Sequence, residues 1–460
     1  MNPQIFREYD IRGVVGRDFG VADVERIGLA FGTYVRQRGG KRLAVGHDHR
    51  LSSESFRLAL TKGLQATGCD IVDIGLVPTP ALYFSLFHLH TDGGCMITAS
   101  HNPAEYNGLK LCCGQAALHG EDIQHIGRLA AHGPFAEGTS QRTEAEVLSP
   151  YMAYITDQIH LRRPLRVVVD AGNGTSGLVI QDLLRRLGCD VFELFCEVDG
   201  TFPNHHPDPT VPENLTDIIR EVKARQADVG LAFDGDSDRL GVIDERGEII
   251  WGDRLLVLFA REILSRQPGA KVIFDVKCSQ VLVDDIRQHG GQPIMWMTGH
   301  SLIKKKLYAE QAALAGEMSG HLFFADGYFG YDDAIYASCR LLQILDRANT
   351  PLSALLADLP VTYSTPEIRV TCADEEKFSV VEQLKVMFQQ EAQVREVVTI
   401  DGARIIFADG WGLVRASNTQ PALVLRFEAT TAERLEAMQA FVVEKLRGFP
   451  SVKLADTPIH

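Results

Sequence analysis

Leu165-Arg166-Val167-Val168-Val169-Asp170 is a short apolar run that closes on a carboxylate. Residues 178–187 then carry apolar side chains at helical spacing, and Gly188-Cys189-Asp190 opens a second apolar run. Strand, polar loop, helix, glycine stop, strand is the grammar of a βαβ unit. The same order occurs twice more. Residues 43–46 lead to Asp48, a helical stretch over 54–66, then Gly68-Cys69-Asp70 and another run; residues 271–274 lead to Asp275, a helical stretch over 281–288, then Gly290 and a further run. Three copies, starting near 43, 165 and 271, predict three related α/β domains with mainly parallel sheets. The helical faces expected in the core are Leu58, Leu60 and Leu64 in the first copy and Ile180, Leu183 and Leu184 in the second.

The last hundred or so residues follow a different pattern. Strands are expected over 397–400, 403–408 and 422–427, with Asp401-Gly402 and Asp409-Gly410 as tight turns and an amphipathic helix over 432–446. This is an α+β unit. The predicted division is 1–145, 146–248 and 249–362 for the three α/β domains, with mixed or parallel sheets, and 363–460 for the α+β domain.

The whole chain has 460 residues, with 46 Lys plus Arg against 60 Asp plus Glu, a formal net charge of −14. That length suits several buried cores, and 45% hydrophobic with 23% charged residues excludes a disordered or fibrous chain. An acidic chain without a basic stripe argues against nucleic acid as a partner, since backbone binding needs clustered cations. No apolar stretch approaches the ~20 residues that span a bilayer, so no membrane partner is expected. Residues 1–10 include Arg7, Glu8 and Asp10 and no apolar signal core, and nine cysteines are scattered with no Cys-x-x-Cys pair. Free thiols in a reducing cytoplasm are the expectation.

Four loops carry chemistry. Asp234-Gly235-Asp236-Ser237-Asp238-Arg239 lies between the apolar runs 231–233 and 240–243. Three carboxylates at alternate positions repel one another unless a cation sits among them, and all-oxygen ligation favours Mg²⁺ or Ca²⁺. An EF-hand is disfavoured because Arg239 stands at the sixth position, where glycine is needed, and strands rather than helices flank the loop. An aspartyl nucleophile of the haloacid-dehalogenase kind also follows an apolar strand and is the fairer rival; a solvated acidic turn is the bland alternative. Thr98-Ala99-Ser100-His101-Asn102-Pro103 follows another apolar run. It is either an ordinary capping loop or a site for a Ser100 nucleophile at a strand's carboxyl end, where α/β sheets place their sites. No Gly-x-Ser-x-Gly elbow surrounds it. Gly316-Glu317-Met318-Ser319-Gly320-His321 sets a carboxylate, a hydroxyl and an imidazole between glycines, a set suited to sugar hydroxyls and equally to a plain turn. Arg415-Ala416-Ser417-Asn418-Thr419-Gln420-Pro421 offers a cation, two hydroxyls and an amide that can wrap a phosphate, or a capping turn. No Walker A sequence occurs. His47-Asp48-His49 and His88-Leu89-His90 lack a visible third metal ligand and are taken as ordinary histidines.

Taken together and in this order, the four loops resemble those of the α-D-phosphohexomutase superfamily, its bacterial phosphomannomutase/phosphoglucomutase branch in particular. The resemblance covers essentially the whole chain, including Tyr9-Asp10-Ile11-Arg12-Gly13 and Phe202-Pro203-Asn204-His205-His206-Pro207. It implies four domains around a central cleft, each contributing a loop. Ser100 would be the phosphoserine; Asp234, Asp236 and Asp238, together with the Ser100 phosphate, would hold Mg²⁺, and Arg239 would neutralise the transferring group. Glu317 and Ser319 would bind the sugar's 3- and 4-hydroxyls, and Arg415, Ser417, Asn418 and Thr419 the non-reacting phosphate. Arg12, Lys110 and His321 match acid/base positions, and Tyr9, Lys277 and His300 match further cleft positions.

The implied reaction is reversible phosphoryl transfer between the 1- and 6-positions of mannose and glucose phosphates through a 1,6-bisphosphate, with glucose 1,6-bisphosphate as activator and nucleotide-sugar synthesis as setting. Met318 favours this branch over the glucosamine branch, where Gln is typical; a glucosamine-phosphate mutase or a Mg²⁺-dependent sugar phosphatase is the alternative. A monomer is expected.

Overall fold

The computed structural model describes residues 1–418 and 420–454. Three of its four sheets are built on one four-strand plan. In the first, the parallel strands Asp70–Leu76, Arg42–His47 and Gly93–Ile97 lie side by side, and Tyr106–Cys113 returns antiparallel against Gly93–Ile97. In the second, Asp190–Leu194, Arg166–Asp170 and Val229–Phe233 are parallel and Leu240–Asp244 returns antiparallel. In the third, the strands are Gln292–Trp296, Lys271–Asp275 and Leu314–Gly316, with Leu322–Phe324 antiparallel. The expected parallel core is therefore present, and each sheet is mixed because the fourth strand of the plan returns antiparallel. The turn into that last strand is the serine loop, the acidic loop and the Glu317 loop in the three units respectively.

Local sequence accounts for the elements. Val167, Val168 and Val169 are fully buried, as β-branched side chains covered on both faces of a parallel strand should be. Ile180, Leu183 and Leu184 are buried as expected, although the helix begins only at Ile180, after a 3₁₀ turn at Thr175–Leu178. In the helix Ser53–Ala66, Phe56, Leu60 and Leu64 face the core, whereas Leu58 is 51% exposed. Two residues of helix turn a side chain by about 200°, so Leu58 and Leu60 point to opposite faces. Gly63 lets this helix approach the helix Val21–Gln37, since a Cβ there would stand 2.1 Å from the Glu25 carbonyl oxygen.

The fourth sheet is antiparallel, with Ala403–Ile406, Gly410–Ala416, Ala422–Ala429 and Ile368–Cys372 side by side, packed on the helices Lys377–Gln389 and Ala432–Leu446. Sequence reading expected a loop over 415–421, but Arg415 and Ala416 belong to the strand Gly410–Ala416. One continuous core joins parts of the first three units, for example Leu82, Tyr151, Leu255 and Leu341. The fourth has its own core and meets the third through Val276, Trp411 and Leu413, with the Arg404 guanidinium stacked 3.7 Å from the Trp411 ring centroid. No helix among the described residues is long and apolar enough to cross a membrane.

Candidate active site

Thr98 Oγ1 accepts the backbone N–H of Ser100 at 3.0 Å, and Ser100 takes a left-handed φ of 50°. Its hydroxyl thereby faces the acidic loop and donates to Asp234 Oδ2 at 2.8 Å. The two loops nearly touch: a Cβ on Gly235 would stand 2.5 Å from the Ser100 carbonyl oxygen, so only glycine fits there.

Asp234, Asp236 and Asp238 are fully buried and offer one oxygen each within 4.8 Å of one another. Asp234 Oδ1 accepts the N–H groups of Asp238 (3.0 Å) and Arg239 (3.1 Å). Asp236 Oδ2 accepts from Thr79 Oγ1 and Lys110 Nζ, both at 2.7 Å, and Asp238 Oδ2 accepts from Lys110 as well. Asp236 Oδ1 and Asp238 Oδ1 are buried without any hydrogen-bond donor. Burial pushes the Asp234 carboxyl well up, and the neighbouring Asp238 and Asp236 push it further. Burial acts on Asp236 and Asp238 too, but Lys110 outweighs it and holds both below the usual carboxylate range. Lys110 itself, despite burial, is held protonated by Asp236, Asp238 and Asp332. Three buried carboxylates against one ammonium, with two oxygens left over, fit a hard divalent cation in oxygen ligation.

Beside them, Arg239 Nε donates to His321 Nε2 at 3.0 Å, which assigns the imidazole proton to Nδ1. That nitrogen stands 3.3 Å from Asp332 Oδ2 and 3.5 Å from Asp238 Oδ1. Asp332 also accepts from Lys304 at 2.7 Å and lies 3.5 Å from His300 Nδ1; the two imidazoles stack with centroids 5.6 Å apart. Burial, reinforced by Lys304, keeps His300 neutral. Arg12 donates to Asn102 Oδ1 at 2.7 Å and to Asp10, at the edge of the serine loop.

Across the cleft, Glu317 Oε1 accepts the Gly299 N–H at 2.6 Å and its Oε2 accepts from Ser319 at 3.1 Å. Arg415 Nε donates to Asp401 Oδ2 at 2.9 Å, and Lys277 Nζ donates to Glu367 at 3.2 Å. Tyr9 donates to the Thr298 carbonyl at 2.7 Å and accepts from Asn418, tying the N-terminal loop to the third and fourth units. Ser417 Oγ accepts the Gln420 N–H at 3.1 Å; Thr419 lies outside the described residues.

One cavity of about 720 Å³ is lined by residues of every one of these loops, with Ser100, Lys110 and Arg239 at one end and Arg415, Ser417 and Asn418 at the other. The structure thus brings together every described residue expected from sequence. Sequence reading missed Asp332, Asp401 and Glu367. Asp401 is visible only as a turn residue, and Asp332 as one of an adjacent acidic pair after Tyr331. His47, His49, His88 and His90 join no metal-ligating group among the described residues.

A fold of three repeated α/β units and an antiparallel fourth, with one loop from each around a single cleft, defines a class of four-domain enzymes. Models of the phosphoglucomutase/phosphomannomutase family match this chain in four consecutive pieces: alpha/beta/alpha domain I at residues 3–137, domain II at 149–247, domain III at 251–363 and the C-terminal domain at 367–445. The chain belongs to that family. A phosphomannomutase/phosphoglucomutase of Pseudomonas aeruginosa is 47% identical over 449 residues, 97% of this chain and 96% of that one. A phosphoglucomutase of Neisseria gonorrhoeae is 45% identical over 438 residues, 95% of each chain. The crystal structure of a phosphoglucomutase/phosphomannomutase family protein from Burkholderia thailandensis superposes with a TM-score of 0.92 at 45% identity, covering 99% of both chains.

Proposed function

We propose that this chain interconverts the 1- and 6-phosphates of glucose and mannose through a phosphoserine at Ser100 and a hexose 1,6-bisphosphate. The observation that carries the reading is the Ser100 hydroxyl bonded to a buried carboxylate triad at one end of a cavity whose other end is the Arg415 loop. The four units, 1–145, 146–248, 249–362 and 363–460, would each supply one wall.

Phosphoserine Ser100 would give its phosphoryl group to the 6-hydroxyl of a hexose 1-phosphate. The P–Oγ bond breaks, a P–O6 bond forms, a base takes the hydroxyl proton and Ser100 Oγ regains one; of the candidates Arg12, Lys110 and His321, the cationic Arg12 and Lys110 can only donate, and the His321 imidazole can accept. The bisphosphate turns over in the cleft, and its 1-phosphoryl returns to Ser100, freeing the 6-phosphate. Asp234, Asp236 and Asp238 would hold Mg²⁺ with the Ser100 phosphate, and the ion would supply positive charge to the equatorial oxygens of the transferring group. Lys110 and Arg239 add fixed cations at the same place, with no reorganisation needed at the moment of transfer.

Glu317 and Ser319 would take the 3- and 4-hydroxyls, since each Glu317 oxygen keeps a spare lone pair beyond its internal bond. Nothing in that pair reads the 2-position, so both epimers are accepted. Arg415, Ser417, Asn418 and Thr419, with Tyr9, Lys277 and His300 nearby, would seat the phosphate that is not reacting. Glucose 1,6-bisphosphate would activate by phosphorylating Ser100.

Incubating the protein with mannose 1-phosphate, Mg²⁺ and catalytic glucose 1,6-bisphosphate should yield mannose 6-phosphate. Absence of product on both mannose and glucose phosphates overturns the reading, as does full activity of Ser100→Ala.

A further inference from the structure

Two sequence segments, the His47-Asp48-His49-Arg50 run and residues 199–207 of the second unit, are unused by the mechanism above. They meet beneath the serine loop. The fully buried Arg50 guanidinium donates to four backbone carbonyls of that loop: those of Ser100 (2.8 Å) and Asn102 (2.6 Å) from one nitrogen, those of Pro103 (2.6 Å) and Tyr106 (3.0 Å) from another. Its Nε stands 3.2 Å from Asp48 Oδ2. Asp48 Oδ1 in turn accepts the Arg50 N–H at 3.0 Å and the Ser53 hydroxyl. The far face is closed by Phe202 of the second unit, whose ring centroid lies 5.2 Å from the guanidinium and 5.2 Å from the edge-on His49 ring. The fit is tight, because a Cβ on Gly200 would stand 2.4 Å from the His49 carbonyl oxygen.

The serine loop runs between the strands Gly93–Ile97 and Tyr106–Cys113 and has few ladder bonds of its own. Within it Ser100 holds a left-handed φ of 50°, a conformation unfavourable for a non-glycine residue that persists only where the surroundings over-determine it. A planar fork that gathers four carbonyls of one loop is such a surrounding, and lysine cannot reproduce it.

We propose that Arg50, oriented by Asp48 and roofed by Phe202, is a positioning residue that fixes the Ser100 loop in register with Asp234. The inference rests on the proposed role of Ser100 as phosphoryl carrier. Arg50 is fully buried and does not line the cavity, so its loss should slow transfer and leave sugar binding alone.

The test measures, per folded molecule, the rate at which glucose 1,6-bisphosphate phosphorylates Ser100, by mass spectrometry, alongside kcat and KM for glucose 1-phosphate. In Arg50→Gln, both uptake and kcat are expected to fall about 100-fold with KM within about threefold, the scale of loss from a misplacement near 1 Å. Arg50→Lys, which keeps the charge beside Asp48, recovers part of that loss. A purely architectural role would lower the melting temperature and the folded fraction while leaving the rate per folded molecule unchanged.

Uptake by folded Arg50→Gln within about threefold of wild type overturns the inference. Should Arg50→Gln not fold, Arg50→Lys decides by the same readouts: about tenfold slower uptake at unchanged KM upholds it, and a wild-type rate overturns it. Wild-type protein that takes up no phosphate at Ser100 overturns the functional reading and this inference together.

Discussion

The two ends of the cleft are built with opposite electrical deficits. At the Ser100 end, three carboxylates are buried around one lysine, and two of their oxygens have no donor at all. At the Arg415 end each cation already has a carboxylate: Arg415 has Asp401, and Lys277 has Glu367. One end needs positive charge from outside. The other, to seat a phosphate as proposed, would have to exchange an internal anion for an external one. Buried charge is tolerable only when compensated, so the first arrangement calls for a resident cation and the second for a ligand that comes and goes.

The largest break in this contrast should come from the carboxylate end. In Asp236→Asn the cation site loses a charged ligand while the fold keeps its Thr79 and Lys110 contacts near that position. We expect kcat to fall about 10²- to 10³-fold, and chelation of wild type with EDTA to do the same until Mg²⁺ is returned; a steady-state mutase assay checks both. Arg415→Gln strikes the other end. It removes a charge-assisted bond to the seated phosphate, so KM for glucose 1-phosphate should rise about 10- to 100-fold with a smaller change in kcat.

Glu367→Gln gives the smallest effect and the most specific one. With no anion to displace, the phosphate should meet Lys277 more readily, and KM should fall about threefold. The same pair has a pH signature. Burial alone would raise the Glu367 carboxyl, but Lys277 and Arg369 outweigh it and hold it at about 2. Its folded value is thus below the unfolded one of about 4.3, so its stabilising contribution is fully present above that and fades as pH falls toward 2. The melting-temperature difference between wild type and Glu367→Gln should therefore be flat from about pH 8 to 5 and shrink in more acid solution.

Much of this contrast is legible in the chain before folding. The Asp234-Asp236-Asp238 alternation suggests a cation site, with an aspartyl nucleophile as its rival, and the Arg415 to Thr419 run suits a phosphate or a capping turn until the four loops are read together. The three βαβ units follow from apolar periodicity and glycine stops. What stays hidden depends on contacts across long sequence separations. Asp332 meets His321 and Lys304 only because its segment folds back beside the strand Leu322–Phe324, and nothing in a Tyr-Asp-Asp run specifies that. Arg50 stands next to two histidines that draw the eye toward metals, whereas its carbonyl partners lie some fifty residues away. Leu58 was misplaced for a simpler reason: an apolar residue two positions from the buried row sits on the wrong side of the helix.

The single cavity with unlike poles has one more consequence. If Ser100 is the phosphoryl donor at one wall and the Arg415 loop the phosphate seat at the other, as proposed, the space between them would work as a gauge of molecular length. A sugar would be admitted where its two phosphate-bearing ends span that space, whichever end enters first. A three-carbon phosphate, able to reach one wall at a time, would bind there without ever being in register for transfer.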